Sequence, residues 1–472
     1  MTAANADTTT MSVSVIIPCF NGVEWTRACI RSLLLQTERP DEILIVDNAS
    51  EDATHALAAE FGAPVRVLSQ ATNLGFAGGV NAGIAAARST HLLILNNDTQ
   101  AAPNLIAELQ KSLDEADGAG AAAPVSNHVK GEAMLPVGDF GKDDAGRRAI
   151  AAELASAPVF QDADTLSGLC LLIHRETLEQ VGVFDDRFGH GNYEDDDLCL
   201  RMRVHGLRLV IARRAFLHHE GHATFRAMGL DLREQLAKRL QQFREKWRDH
   251  PAGLALVAHL HGDLALAAQA AELARRHAPE WLDAELHLAR HHEQFGEAGT
   301  AIELIERYLR ACPEHVEARI LLGLAQLRDG RDEAAKRTLE QTLQRHRPTP
   351  RQELSMLSRL GAISLQRGLH AAALAHFTAA AEVMPDSGPV QTGRGLALLA
   401  MDDLEPARRA FTRACELHDA SAHRHLGTCL QRLGDLDGAV ASYRRAVELR
   451  PDDPGARRDY EAGLAALAAA PC

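Results

Sequence analysis

The sequence predicts two architectures in one chain: an α/β domain on a parallel sheet in the front half, and an all-α stack of helical repeats in the back half. Three observations predict this. Short apolar runs alternate with helical stretches from Val13 onward. From about His250 a pattern of small residues recurs every 32 to 38 residues. Aromatics make up only 4% of the chain, which suits closely packed small-residue helices better than an all-β design. With 472 residues, two or three domains are expected. The boundaries read from the pattern are a disordered N-terminus at 1–11, the α/β domain at 12–228, a helical connector at 229–249, and repeats with a capping helix at 250–472.

The front half sets its strands in order. VSVII (Val13–Ile17), EILIVD (Glu42–Asp47), VRVLS (Val65–Ser69) and HLLILN (His91–Asn96) are short buried-strand runs. Helices are expected near Trp25–Gln36 and Ala53–Phe61. Such alternation implies a parallel sheet covered on both faces, with ligands bound past the carboxyl ends of the strands. Polar loops stand at those ends: PCFNG (Pro18–Gly22), DNAS (Asp47–Ser50) and NNDT (Asn96–Thr99). Asp47 can accept from a nucleobase N–H or a ribose hydroxyl. Asp98 can offer carboxylate oxygen to a hard divalent cation. In NLGFAGGVNAG (Asn73–Gly83), Gly75, Gly78 and Gly79 let the backbone approach a ligand closely ahead of a helix. Each loop alone also fits a plain turn or helix cap; their order along the chain is what points to a site.

The back half is organised by its alanines. Ala267, Ala301, Ala335, Ala373, Ala407 and Ala439 keep one rhythm, and Ala255, Ala289, Gly323, Gly361, Gly395 and Gly427 keep another. Ile305, Leu339, Phe377, Phe411 and Tyr443 recur four residues after the first set. Two amphipathic helices per unit would cross where the small residues sit, and the bulky side chain one turn on would fill the gap. One unit cannot bury its own face, so neighbours must stack. Period and small/large positions resemble the tetratricopeptide repeat.

The front motifs VSVIIPCFNG, EILIVDNASEDAT, NLGFAGGVNAGI and LLILNNDT resemble, in order, those of the family-2 glycosyltransferases with a GT-A fold, above all their rhamnosyltransferase-like branch. The resemblance implies a nucleotide-diphosphate sugar donor and a divalent cation, Mn²⁺ or Mg²⁺, held by a D-x-D-type loop. Carried over by position, Pro18, Asn21, Asp47, Asn73, Gly75 and Asn97 are the donor-binding residues and Asp98 is the metal-side acid. The loop reads Asn96-Asn97-Asp98, so the first carboxylate of D-x-D is absent.

Further on, Gly168–Ile173 reads as a strand, Arg175–Val181 and Leu198–His205 as helices, with Glu194-Asp195-Asp196-Asp197 at the start of the second. Acids there favour a helix N-terminus. Transfer with inversion needs a carboxylate to take the acceptor's proton. YEDDDLC resembles the family's E-D-x-D-L-C motif, which implies Asp195 as the base, with Asp197 the second candidate. In FLHHEGHATF (Phe216–Phe225) the resemblance implies a metal or diphosphate histidine; His218 matches by position, with His219 and His222 behind it. Residues 126–165 match no motif and read as a mobile acceptor loop. QQFREKW (Gln241–Trp247) lacks the Q-x-x-R-W pattern of processive synthases because Glu245 stands where Trp should.

Charge and cysteines narrow the function classes. Residues 1–228 carry 18 Lys and Arg against 30 Asp and Glu, so −12 of the formal −14 lies there. That acidity excludes a nucleic-acid footprint and calls for a cation to bridge phosphates. The eight cysteines form no C-x-x-C pair, which fits reduced thiols rather than a zinc site or a disulfide framework. The N-terminus MTAANADTTT has no signal-peptide pattern and no apolar run approaches spanning length. The expected location is cytoplasmic, any membrane contact being peripheral at the inner face. The expected function is inverting sugar transfer to an acceptor hydroxyl, with the repeats recruiting a protein acceptor or partner. The alternatives are a polysaccharide or lipid-linked acceptor with repeats that organise a complex, and a non-catalytic repeat scaffold.

Overall fold

The computed structural model describes residues 12–129, 131–189, 191–221, 232–260, 262–346, 348–450 and 453–469. The chain divides into two compact units, one running to Asp329 with 345–347 added, the other comprising 330–344 and 348–472. The 1–11 segment lies outside the described residues.

In the first unit, β1 (Val13–Cys19), β2 (Glu42–Asp47), β3 (Val65–Ser69) and β4 (His91–Leu95) are the four expected strands. Apolar runs buried on both faces give β1, β2 and β4 this form, whereas β3, at the sheet edge, is fully buried only at Val65. They pair in parallel in the order β3-β2-β1-β4. Beyond β4 the parallel expectation fails. Strand β8 (Cys170–His174) runs antiparallel to β4 and to β6 (Ala119–Ser126), and β6 is parallel to β9 (Arg208–His219). Strands β5 (Thr99–Ala101) and β7 (Phe160–Ala163) both pair antiparallel with β9. The sheet is mixed because β8 enters from the carboxyl edge of β4, where Asn96 N–H donates to Leu169 O at 3.0 Å, with no crossover helix.

Helix α1 (Val23–Leu34) follows β1, α2 (Leu57–Phe61) follows a 3₁₀ turn at Ala53–Ala56, and α3 (Gly75–Ala86) follows β3. Gly83 fixes how close α3 lies: a Cβ there would stand 2.3 Å from Ile16 Cγ2 and 3.0 Å from Val46 Cγ2. Helix α4 (Leu105–Glu115) leads into β6. The stretch expected to be a mobile loop is instead ordered. It holds α5 (Asp144–Leu154), started by the Asp143 side chain accepting from Gly146 N–H at 2.7 Å, and β7. Helix α6 (Arg175–Val181) and α7 (Glu194–Val204) complete the α/β part. Two apolar cores lie on the two faces of the sheet. One centres on Ile16, Leu44 and Ile94, the other on Ile17, Ile45 and Leu93, as strand alternation requires.

The same unit continues into helices α8 (Leu232–Trp247), α9 (Pro251–Leu260), α10 (Leu264–His277), α11 (Asp283–Gln294), α12 (Ala298–Ala311) and α13 (Val316–Arg328). The second unit consists of α14 (Asp332–Arg345), α15 (Pro350–Gln366), α16 (His370–Val383), α17 (Gly388–Ala400), α18 (Leu404–Glu416), α19 (Ala422–Leu433), α20 (Leu436–Leu449) and α21 (Pro454–Ala469). Consecutive helices pack in pairs, and α15, α17, α19 and α21 also touch their next-but-one neighbours, forming one layer of the stack. The expected small/large code is realised in space. A Cβ on Gly361 would lie 2.7 Å from the Phe377 ring, on Gly395 2.5 Å from Phe411, and on Gly427 2.6 Å from Tyr443. Ala373, Ala407 and Ala439 are buried beside them.

Gly395→Val should therefore force Phe411 out of its seat. Overpacking of this kind costs about 1–3 kcal/mol, and a lower thermal midpoint of the full chain with unchanged helix content checks it. An undiminished midpoint would mean the Gly395–Phe411 approach is not needed for stability.

Candidate active site

The crevice forms where β1, β2 and β4 end side by side. Asn21 takes a left-handed conformation, φ 58°, which asparagine tolerates better than most residues. It knits two loops: its N–H donates to Ser50 Oγ at 2.9 Å and its Oδ1 accepts from Glu51 N–H at 2.8 Å. Pro18 lies in β1 opposite Val46. Asp47 is buried at the end of β2, and its Oδ1 accepts from Ser50 N–H at 2.9 Å. Asn97 is buried between α1 and the first loop, with Nδ2 3.1 Å from Thr26 Oγ1 and 3.5 Å from Asn21 O. Asn73 Oδ1 accepts from the N–H of Gly75, whose φ of 74° turns the chain into α3. Asn48 Nδ2 donates to Gly75 O at 3.0 Å, joining the glycine loop to the end of β2.

Asp98 is buried just ahead of β5. Its neighbour is His219, whose Nε2 lies 3.4 Å from Asp98 Oδ1. The expected partner, His218, faces the other way. Both its ring nitrogens are buried without a hydrogen bond, and its nearest charged group is Glu220, 3.6 Å from Nε2. The reason is a bulge. Pro124 in β6 pairs with Ala212, but Val125 pairs with Phe216, so β9 carries three extra residues there. An odd insertion reverses which face each later residue takes. His222 lies outside the described residues.

His219 is held in place from both sides. Its Nδ1 donates to His128 O at 2.9 Å, which turns Nε2 toward Asp98. Burial pushes its pKa down, but the hydrogen bond and charge of Asp98 outweigh that and raise it. His218 is shifted down by burial. Among the described residues no group of three or more acidic, histidine or cysteine side chains could hold a metal alone. Asp98 and His219 could offer two ligands, and hard cations in phosphate-transfer sites commonly take the rest from substrate oxygens and water. The residues present fit a cation shared with a diphosphate.

Asp195 begins α7 at the far side of β4. Gly168 N–H donates to its Oδ2 at 2.8 Å, and the residue is only half-buried. Burial, then the charge of Asp195, push the Glu194 carboxyl well above the usual range. Asp197 is closed to a substrate, and its place as second candidate for the base does not survive the geometry. Its side chain is fully buried, and its oxygens accept from Arg201 Nε at 2.9 Å, Trp247 Nε1 at 2.9 Å and Lys246 Nζ at 2.6 Å. Lys246 and Trp247 were not expected here. The one available signal was a tryptophan ending a helical connector in a chain with three.

The first repeats grip the same segment. Arg203 at the end of α7 bonds to Asp283, with Nε 3.1 Å from Oδ2, and lies 3.0 Å from Tyr308 Oη. Asp162 in β7 accepts from Glu314 N–H at 2.9 Å, and Asp164 pairs with His315 Nε2 at 2.8 Å.

This crevice is that of a sugar transferase. The family model described as glycosyl transferase family 2 matches residues 14–182. An N-acetylglucosaminyl-diphospho-decaprenol L-rhamnosyltransferase of Mycobacterium tuberculosis is 30% identical over 224 residues, covering 42% of this chain and 72% of that protein. The chain belongs to glycosyl transferase family 2. The succinoglycan biosynthesis protein ExoO of Rhizobium meliloti is 34% identical over 116 residues, 24% of this chain and 32% of that one. A solved structure of GalNAc-T7 matches with TM-score 0.37 and 16% identity, over 45% of this chain and 44% of that one. Tetratricopeptide-repeat models match residues 282–327, 320–389 and 392–454. Among the described residues no helix is long and apolar enough to cross a membrane.

Proposed function

We propose that the protein moves a deoxyhexose from a nucleotide-diphosphate sugar to an acceptor hydroxyl with inversion at the anomeric carbon. One observation carries the reading. A single run of hydrogen bonds links the donor loop to the proposed base: Asn97 to Asn21, the neighbouring Asn96 to Leu169, and the neighbouring Gly168 to Asp195. Asp47 and the Asn73–Gly75 turn bind the nucleoside side, with Pro18, Asn21 and Asn97 shaping the crevice. Asp98 and His219 hold a divalent cation, Mn²⁺ or Mg²⁺. When bound, that cation stabilises negative charge on the departing diphosphate. Asp195 takes the acceptor's proton as its oxygen bonds to C1, and the C1–O bond to the diphosphate breaks with its electron pair on that oxygen.

The sugar class follows the mycobacterial relative, which is named for L-rhamnosyl transfer. The repeats recruit a protein partner or acceptor, because stacked helical pairs offer an extended surface and a tethered acceptor is locally concentrated. A second reading of the acceptor, a lipid-linked glycan, is favoured by the diphospho-decaprenol in that relative's name. Cell extract incubated with the full chain and a radiolabelled nucleotide sugar separates them. Label in the organic phase supports the lipid-linked acceptor, and label in protein supports the other.

Asp195→Asn should lower kcat by about 10²–10⁴-fold and leave donor affinity close to wild type. NMR of the product should show the inverted anomer; a retained anomer would exclude the single displacement. Cation binding should depend on Asp98 and on pH in a definite direction. A metal ligand must be deprotonated, and the His219 pKa lies above its usual value. Mn²⁺ affinity by calorimetry should therefore climb from pH 6 to pH 8 and drop strongly in Asp98→Ala and His219→Ala. Equal affinity in His218→Ala and wild type is expected; full turnover in excess EDTA would end the metal-dependent scheme.

A further inference from the structure

We propose that Lys246 and Trp247, at the end of α8, are positioning residues for the base: they hold the buried Asp197 and, through it, the first turn of α7 that presents Asp195. The proposal rests on reading Asp195 as the base.

The entry to α7 is weakly fixed by its own sequence. Asn192 and Tyr193 stand in succession at φ 75° and 70°, a conformation that costs a residue with a Cβ, tyrosine above all. No side chain caps the helix, and four acids crowd its first turn. The helix dipole favours acids there, but Asp197 is fully buried, and a buried carboxylate without partners is severely destabilising. Only Arg201 comes from the same helix, and it also donates to the carbonyls of Val181, Gly182 and Val183. The other two donors come from α8, some fifty residues away.

Lys246 holds more than one carboxylate. Its Nζ lies 2.7 Å from Asp185 Oδ2, and Asp185 accepts from the Arg187 N–H at 3.1 Å. The charge-assisted bond to Arg187, then that to Lys246, hold the Asp185 carboxyl well below the usual range despite its partial burial. One ammonium thus joins the start of the loop before α7 to the first turn of α7. That loop also meets the glycine-rich donor helix. Asn81 Nδ2 donates to Phe184 O and Asp186 Oδ1, both at 2.8 Å, and Phe76 N–H donates to Gly189 O at 2.8 Å. The Trp247 ring seals the clamp in an apolar cluster with Phe188, Leu200 and Phe243. Base helix, intervening loop and donor helix are therefore referenced to α8.

The test uses the full-length protein and four variants: Lys246→Met, Lys246→Arg, Trp247→Phe and Asp195→Asn. Hydrogen exchange by mass spectrometry is read on peptides covering Tyr193–Leu200, with peptides within α8 and in the sheet as controls. Lys246→Met and Trp247→Phe should speed exchange of the first α7 turn tenfold or more, with controls unchanged and Lys246→Arg close to wild type. Nucleotide release from dTDP-L-rhamnose with Mn²⁺ should lose kcat by a similar factor while KM stays within twofold. Unchanged exchange at Tyr193–Leu200, or equal acceleration everywhere, would overturn the positioning role. Asp195→Asn separates the two readings: turnover retained there removes Asp195 as base, whereas the exchange result decides the clamp by itself.

Discussion

The site depends on β9 changing face partway along its length. Before the bulge, Leu209 and Ile211 face one core and Val210 and Ala212 the other; after it, Phe216 joins the first and Leu217 the second. Without those three extra residues His219 would turn away from Asp98. The bulge forms where β6 carries Pro124, which has no N–H to give to a ladder. The same strand holds β5, β6 and β7 together. Its Arg208 Nε donates to Asp162 at 2.8 Å, tying β7 to it by a buried ion pair. The strand therefore sets both the His219 side of the crevice and the edge that the repeats grip.

Chemistry in this crevice is divided by burial. Asp195 stays half-buried, its two carboxylate oxygens accepting from the N–H groups of Gly168 and Asp196. Asp197, two residues on, is spent on structure because helix geometry turns it inward. Glu194 is buried and pushed up, so it adds little charge to the pocket. Three of the four consecutive acids, Glu194, Asp195 and Asp197, thus sit in different surroundings although their own chemistry differs by no more than one methylene.

The fold was legible where periodicity is local. The four parallel strands are apolar runs of high β propensity, and the repeats announce themselves by small residues at fixed spacing that meet Phe377, Phe411 and Tyr443. It was less legible in the second half of the sheet. The β6 strand, AGAAAPVS, has little β propensity and a proline, and β9 interleaves three arginines with its apolar residues. Order in 126–165 comes from tertiary contact, such as Phe216 against Gly141, rather than from a local pattern. The loops after β1, β2 and β4 meet because the carboxyl ends of parallel strands converge by rule. Motif position points to His218, whereas the bulge in β9 turns His219 toward Asp98, and such a bulge leaves no trace in motif position. Lys246 and Trp247 were missed because a long-range salt bridge leaves no periodic trace.

The buried contacts between α7, β7 and the first repeats bear on how such chains can be rearranged. Arg203 is 1% exposed and spends its guanidinium on Asp283 and Tyr308, so a cut at the connector would remove both its partners. Grafting a foreign repeat array at residue 250 would need matching partners for Arg203, Asp162 and Asp164 at once. A splice after Asp329 asks for none of these three. A chimera that keeps the chain through α13 would retain every one of these partners, since Asp283, Tyr308, Glu314 and His315 all precede Asp329.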